Sequence, residues 1–269
     1  MSEVKNIETP CGTIHYRTAG QGKPLLLVHG LFSSMETFTP LFETLSSQRR
    51  LVAFDFPDHG ESTKGPDFHV DWQGYGEAIL ALANSLGFDE FDLCGHSMGG
   101  GVAALFASQY PEKVSKLILI DSVTGRFRLP MKGRIPQIPL LGDFVFKVLY
   151  REKMFFSYFE NDVFFDKSRI NPDRLHSYYK GFDRNRASIL KAVRATKNPT
   201  AVLDSLSRVE ADTLVIWGRQ DPLIPLFVGN ETVRKVKRAS LQIVDECGHS
   251  PVEECPGETS TLISNFLSS

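Results

Sequence analysis

The sequence predicts an α/β protein built on a wound sheet with helices on both faces. Three observations carry this expectation. Short apolar or β-branched runs alternate with longer amphipathic stretches; Gly, Pro and Asp punctuate the joints; and the stretches between several buried-type strands have room for the helical crossover that parallel pairing requires.

Taken in order, Val4 to Glu8 and Thr13 to Thr18 alternate apolar and polar residues and read as strands. Pro24 to Val28 is different, because its continuous PLLLV suits a strand buried on both faces. Leu51 to Phe54, Phe91 to Cys94 and Lys116 to Ile120 repeat that type, and Thr37 to Ser47, Trp72 to Leu86 and Met98 to Tyr110 supply helical spacing between them. After Asp121 the rhythm breaks. The next stretch is rich in Phe, Arg, Lys and Asp and has helical periods over Leu140 to Tyr150, Pro172 to Lys180 and Ala187 to Lys197, with Pro130, Pro136, Pro139, Pro172 and Pro199 as breakers. Thr213 to Trp217 and Leu241 to Val244 then restore the strand pattern, with helices around Pro225 to Val236 and Glu258 to Leu267. Residues 1–121 and 209–269 therefore read as one core, and 122–208 as a helical insertion in it.

Composition removes whole classes of function. With 42% hydrophobic and 23% charged residues in a 269-residue chain, neither disorder nor a fibrous repeat fits. Thirty basic residues against 32 acidic ones, without long single-sign runs, advertise no nucleic-acid surface. The polar start and the lack of an apolar run near the roughly 20 residues of a bilayer span lead to the expectation of a soluble, cytoplasmic protein. Cys11, Cys94, Cys247 and Cys255 lack the spacing of a zinc or redox motif and read as free thiols; no metal site is expected.

The strongest chemical signal is Gly95-His96-Ser97-Met98-Gly99, between the strand FDLC and the helical GGGVAALFASQY. This is a G-x-S-x-G elbow in its strand-turn-helix setting, where flanking glycines permit a tight turn that exposes the serine hydroxyl. A hydroxyl is a poor nucleophile near neutral pH, so it needs a base within hydrogen-bond reach and an acid to orient that base. His249, in ECGHSP after the last expected strand, is the candidate base, and Asp221, in GRQDP after the strand before it, is the candidate acid. Asp121, also at a strand end, is the rival acid.

The fourth element is His29-Gly30-Leu31-Phe32, directly after PLLLV. A backbone N–H from this loop, joined by that of the residue after the nucleophile, binds the oxyanion in acyl transfer, which assigns the donors to Leu31 and Met98, with Phe32 as the alternative if the turn is offset by one. His29, before a glycine at a strand end, reads as a structural hydrogen-bonding residue.

At LLLVHGLF, VAFDFPDHGEST, DLCGHSMGGGVAALFASQYPEKVSKLILID, LVIWGRQDPLIP and VDECGHSPVEECP the chain resembles the α/β-hydrolase superfamily, over most of its length. The resemblance implies an eight-stranded, mostly parallel sheet with a helical cap inserted after the sixth strand, and a cofactor-free hydrolase. Asp55, Asp58, His59 and Gly60 match the family's Asp-x-Pro-Gly-His-Gly loop, with Asp58 replacing the usual glycine; the segment reads as structural. Epoxide hydrolases and haloalkane dehalogenases carry an aspartate where this chain has Ser97. Meta-cleavage C–C hydrolases often have a glycine-rich oxyanion loop and a Trp after the histidine, where this chain has Leu31-Phe32 and Ser250, and the menaquinone-pathway member has an arginine where this chain has Gly101. The expected activity is therefore a carboxylesterase acting on a small-molecule ester of short to medium acyl length. The alternatives are C–C hydrolysis of a meta-cleavage-type vinylogous diketone and a non-catalytic ligand receptor.

Nine phenylalanines of the insertion, Phe127, Phe144, Phe146, Phe155, Phe156, Phe159, Phe164, Phe165 and Phe182, suggest an apolar roof, about two thirds of them serving as packing. Arg126, Arg128, Lys132 and Arg134 form a small basic cluster near its entrance, read as a solvated face in preference to a site that attracts an anionic substrate or lipid surface.

Overall fold

A computed structural model describes residues 2–128 and 131–269, apart from the side chains of Met131 and Lys132. Pro130 and the Lys132 side chain thus lie outside the described residues. Eight strands form one sheet in the order β1-β2-β4-β3-β5-β6-β7-β8: Glu3–Thr9, Gly12–Ala19, Pro24–Val28, Arg50–Phe54, Phe91–His96, Val114–Ile120, Asp212–Gly218 and Ala239–Val244 for β1 to β8. β1 pairs antiparallel with β2, and β2 with β4; every later pairing is parallel. All eight expected strands occur, extended by a residue or two except for β3.

The side-chain period of two divides the core between two faces. Leu26, Val28, Val52 and Phe54 join one cluster with helices Trp72–Ser85, Met98–Gln109 and Phe227–Lys235, while Leu25, Leu27, Leu51 and Ala53 join another with Thr39–Leu45 and Pro256–Ser268. The strands at the centre are therefore mostly apolar, because both faces are covered, although β5 carries the buried Asp92. β1, at one edge, is mostly exposed and mixed in character.

Three helices depart from the expected spans. Thr37 to Ser47 begins instead as a 3₁₀ turn, Met35–Phe38, capped by the Ser34 hydroxyl accepting the Glu36 N–H, and restarts as Thr39–Leu45 with Pro40 in its first turn. Leu140 to Tyr150 splits into a short helix, Leu141–Phe144, and a wide π turn, Val145–Leu149, which leaves Phe146 only 1% exposed. Pro172–Arg184 runs through Gly181 where a stop was expected. A Cβ there would come within 3.0 Å of Gly60 Cα, so this glycine lets the helix pack on the loop after β4. Helices Glu152–Tyr158 and Thr200–Ser205 were not expected. Among the described residues, the chain between β6 and β7 contains helices and no strand. Five of the nine phenylalanines there are buried, and Phe144 and Phe165 are exposed. No helix of the described residues is long and apolar enough to cross a membrane.

Candidate active site

Residues from five strand ends converge at the carboxyl edge of the sheet. Of residues 91–100, Ser97 alone is not buried. Its backbone lies at φ 56°, ψ −120°, strained for any residue with a Cβ. The turn is pinned from both sides: Ser97 N–H donates to Ile120 at 2.9 Å, and the Ser97 carbonyl accepts from Gly100, Gly101 and Val123. The neighbouring glycines have specific reasons. A Cβ on Gly95 would lie 2.4 Å from the Gly99 oxygen, and one on Gly99 would lie 2.3 Å from the Val28 and His29 oxygens.

His249 is 2.9 Å from Ser97 Oγ through Nε2 and 2.7 Å from Asp221 Oδ2 through Nδ1. The Asp221 side chain is fully buried and its two oxygens divide the labour. Oδ1 accepts the Leu223 and Ile224 N–H groups at 2.7 and 3.0 Å, the ordinary turn-forming habit of an aspartate, and leaves Oδ2 to the imidazole. The histidine loop is held by its own N–H donating to Val163 of the insertion, by Gly248 N–H donating to Glu254, and by His96 Nε2–H donating to the His249 carbonyl at 2.7 Å. Gly218 makes this approach possible, since a Cβ there would sit 1.9 Å from the Gly248 oxygen.

Asp121 does not reach His249 by hydrogen bond. Its Oδ1 accepts the Gly218 N–H at 2.9 Å, and its other oxygen is buried toward Asp221. Burial and the facing Asp221 carboxylate push the Asp121 carboxyl well above the usual range.

The loop after β3 lies against the elbow. A Cβ on Gly30 would come 2.8 Å from Ser97 Cβ, which sets Leu31 beside the serine, while Met98 opens its helix and so carries an N–H without an intrahelical acceptor. His29 Nδ1–H donates to the Gly30 carbonyl and Nε2 accepts the Phe56 N–H, and burial depresses its pKa to about 3. It is a neutral brace of this loop. Phe32, at φ 62°, points up into the insertion, with ring centroids 5.5 to 6.5 Å from Tyr158, Phe146, Phe182, Tyr150 and Phe155.

Asp55, Asp58, His59 and Gly60 make structural contacts. Asp55 accepts the Met35 and Glu61 N–H groups, and Asp58 holds Ser188 and Lys64. Sequence reading passed over two braces. His96 lies inside the elbow motif itself, but nothing local signals its reach to residue 249. Glu254 accepts from Gly248, Phe165 and Asp166, tying the insertion to the histidine loop, and its place after the histidine was the available clue. In the basic cluster, Arg126 donates to Thr200.

A model of the alpha/beta hydrolase family matches residues 25–261. A 2-hydroxy-6-oxo-6-phenylhexa-2,4-dienoate hydrolase of Burkholderia cepacia is 29% identical, over 94% of this chain and 91% of that protein. The monoacylglycerol lipase abhd6-B of Xenopus laevis is 24% identical, over 96% and 80%. The solved structure of a thermophilic esterase from Thermogutta terrifontis superposes with a TM-score of 0.81 at 23% identity, covering 99% of this chain and 98% of that one, a likeness of fold.

Proposed function

The chain belongs to the alpha/beta hydrolase family, and from that premise we propose that it is a serine hydrolase of carboxylic esters with short to medium acyl chains. The observation that carries this reading is the unbroken hydrogen-bond chain from Ser97 through His249 to Asp221, at 2.9 and 2.7 Å. Ser97 Oγ attacks the ester carbonyl while His249 Nε2 takes its proton, and Asp221 accepts the Nδ1–H and stabilises the imidazolium. The N–H groups of Leu31 and Met98 receive the oxyanion. The imidazolium then protonates the leaving alcohol. A water deprotonated by His249 attacks the acyl-enzyme and releases the acid. No step calls on a metal or cofactor.

Residues 122–208 act as the cap in this reading. The aromatic cluster around Phe32 roofs the acyl site and bounds the acyl length, and the cap reaches the chemistry through Val163 and Glu254.

C–C hydrolysis is the second reading, favoured by the names of the Burkholderia relative and of a similar hydrolase from Comamonas testosteroni. Both chemistries would use the same triad. The test is turnover of activated esters from acetyl upward beside 2-hydroxy-6-oxo-6-phenylhexa-2,4-dienoate, with serine-directed phosphonate labelling as a check on the nucleophile. Esters turned over faster than the dienoate support the first reading; the reverse supports the second. Failure of labelling with no turnover would leave a receptor on this fold.

A further inference from the structure

The insertion carries an unusual surface at residues 138–149. A surface helix ordinarily buries one side and turns polar residues outward. Here the inner side packs through Gly142 and Phe146, and the outer side, at positions 141, 144 and 148, is Leu, Phe and Val, 43 to 54% exposed. Ile138, Leu140 and Leu149 extend the same surface. Leu140 is 85% exposed and sits at φ 63°, a left-handed conformation that a bulky side chain adopts only under constraint. Of the ten large apolar residues exposed among the described residues, six fall in these twelve positions.

Charge sets the second half of the argument. The near-neutral total hides a division: residues 122–208 contain 17 Lys and Arg against eight Asp and Glu, whereas the rest of the chain contains 13 against 24. The apolar tip therefore belongs to a cationic segment mounted on an acidic core. Lys147, Arg151 and Lys153 are exposed beside it. The only acid between positions 135 and 150, Asp143, is shared by Lys147 at 3.4 Å and Arg194 at 2.7 Å.

We propose that this tip docks on the surface of an anionic phospholipid bilayer. Apolar side chains projecting from a basic rim match the two layers such a surface offers, acyl chains below and negative headgroups above. A second copy of the same tip would set cation against cation. The proposal does not rest on the ester reading, since docking is measured without turnover.

The test is co-sedimentation of the full chain with vesicles of phosphatidylcholine alone and of phosphatidylcholine with a quarter phosphatidylglycerol. Binding is expected to be stronger by about tenfold or more on the anionic vesicles and to weaken as salt shortens the screening length. Leu140→Asp/Phe144→Asp, both exposed, should lose it by a similar factor while hydrolysing a soluble ester or the dienoate as the wild type does. As a second measurement, a Phe144→Trp reporter should be quenched by brominated acyl chains. Absence of binding to either vesicle, equal binding by the double variant, or no quenching overturns the proposal. So does a wild-type dimer in solution that the double variant converts to monomer, because the surface would then be an interface between copies.

Discussion

The two sides of the candidate site are held by different physics. Below Ser97, the sheet edge fixes atoms through backbone hydrogen bonds, glycines with no room for a Cβ, and strained φ values at Phe32, Ser97 and Asp121. Above it, the insertion is a set of short helices and two π turns around an aromatic cluster, with ion pairs on its outside. The lower side specifies positions closely, and reaction geometry demands this. The upper side specifies mainly that apolar volume be filled, a looser demand that leaves room for substrate preference to change.

The largest effect should come from the most constrained atom. Ser97→Ala is expected to lower kcat by about six orders of magnitude and to abolish phosphonate labelling, with thermal stability unchanged because the hydroxyl is at the surface of the elbow. Adding His249→Ala should cost little more, since members of one catalytic unit are strongly non-additive. Substantial remaining turnover in the single variant would move the chemistry elsewhere.

The two aspartates then test whether position or mere presence matters at the sheet edge. Asp221→Asn should lower kcat by about three to four orders of magnitude. Asp121→Asn should cost less than about tenfold, because the amide oxygen can still accept the Gly218 N–H and Asp121 makes no hydrogen bond to His249. Asp121→Leu fills the space without that bond and should cost more than Asn. Side-by-side kcat values for the folded variants decide it, and a larger loss at Asp121→Asn than at Asp221→Asn would exchange their roles.

Legibility in the sequence followed the same division. The strands and the convergence of Ser97, His249 and Asp221 could be read because β3, β4, β6 and β7 each carry a continuous apolar run and the elbow motif is a local geometric demand. Glu254 and His96 could not, because their work is to join segments distant in the chain. In the insertion, propensity failed at Gly181, where close packing on Gly60 outweighs the cost of a helical glycine, and at Val145–Leu149, where burying Phe146 widens the helix.

Packing above the site should show a smaller and differently distributed effect. Phe155 is fully buried, with ring centroids 5.0 Å from Phe159 and 5.2 Å from Phe182. Phe155→Ala should destabilise the protein by about 3 to 5 kcal/mol and raise KM for the longer acyl esters, while kcat for the acetyl ester changes less than about tenfold. Denaturant unfolding and an acyl-length series would measure both. A kcat loss equal for every ester would mean that the cluster positions the triad rather than bounding the substrate.

The smallest effect separates the two sides by pH. Burial lowers the pKa of His29 and His96 to about 3 and that of His59 to about 4, against 6.5 when unfolded. Below pH 6.5 the unfolded chain therefore takes up protons that the folded chain refuses, so these residues make stability rise with pH between about 4 and 6.5. Asp55 works the other way. Burial raises it to about 7, so the folded chain keeps a proton that the unfolded chain has lost, and the wild-type curve is flattened. A difference measurement removes this cancellation. His59 donates to the Pro57 carbonyl at 3.2 Å, and asparagine offers a donor of similar reach without a titration. The stability of the wild type relative to His59→Asn should rise by about 1.4 kcal/mol for each pH unit across that window, the slope of one proton. The outer pair of the insertion adds nothing there, because Arg194 holds the half-buried Asp143 carboxyl below its ordinary value and so below the window. A parallel pair of stability curves would mean that His59 is open to solvent, and that the sheet edge is less tightly closed than its contacts imply.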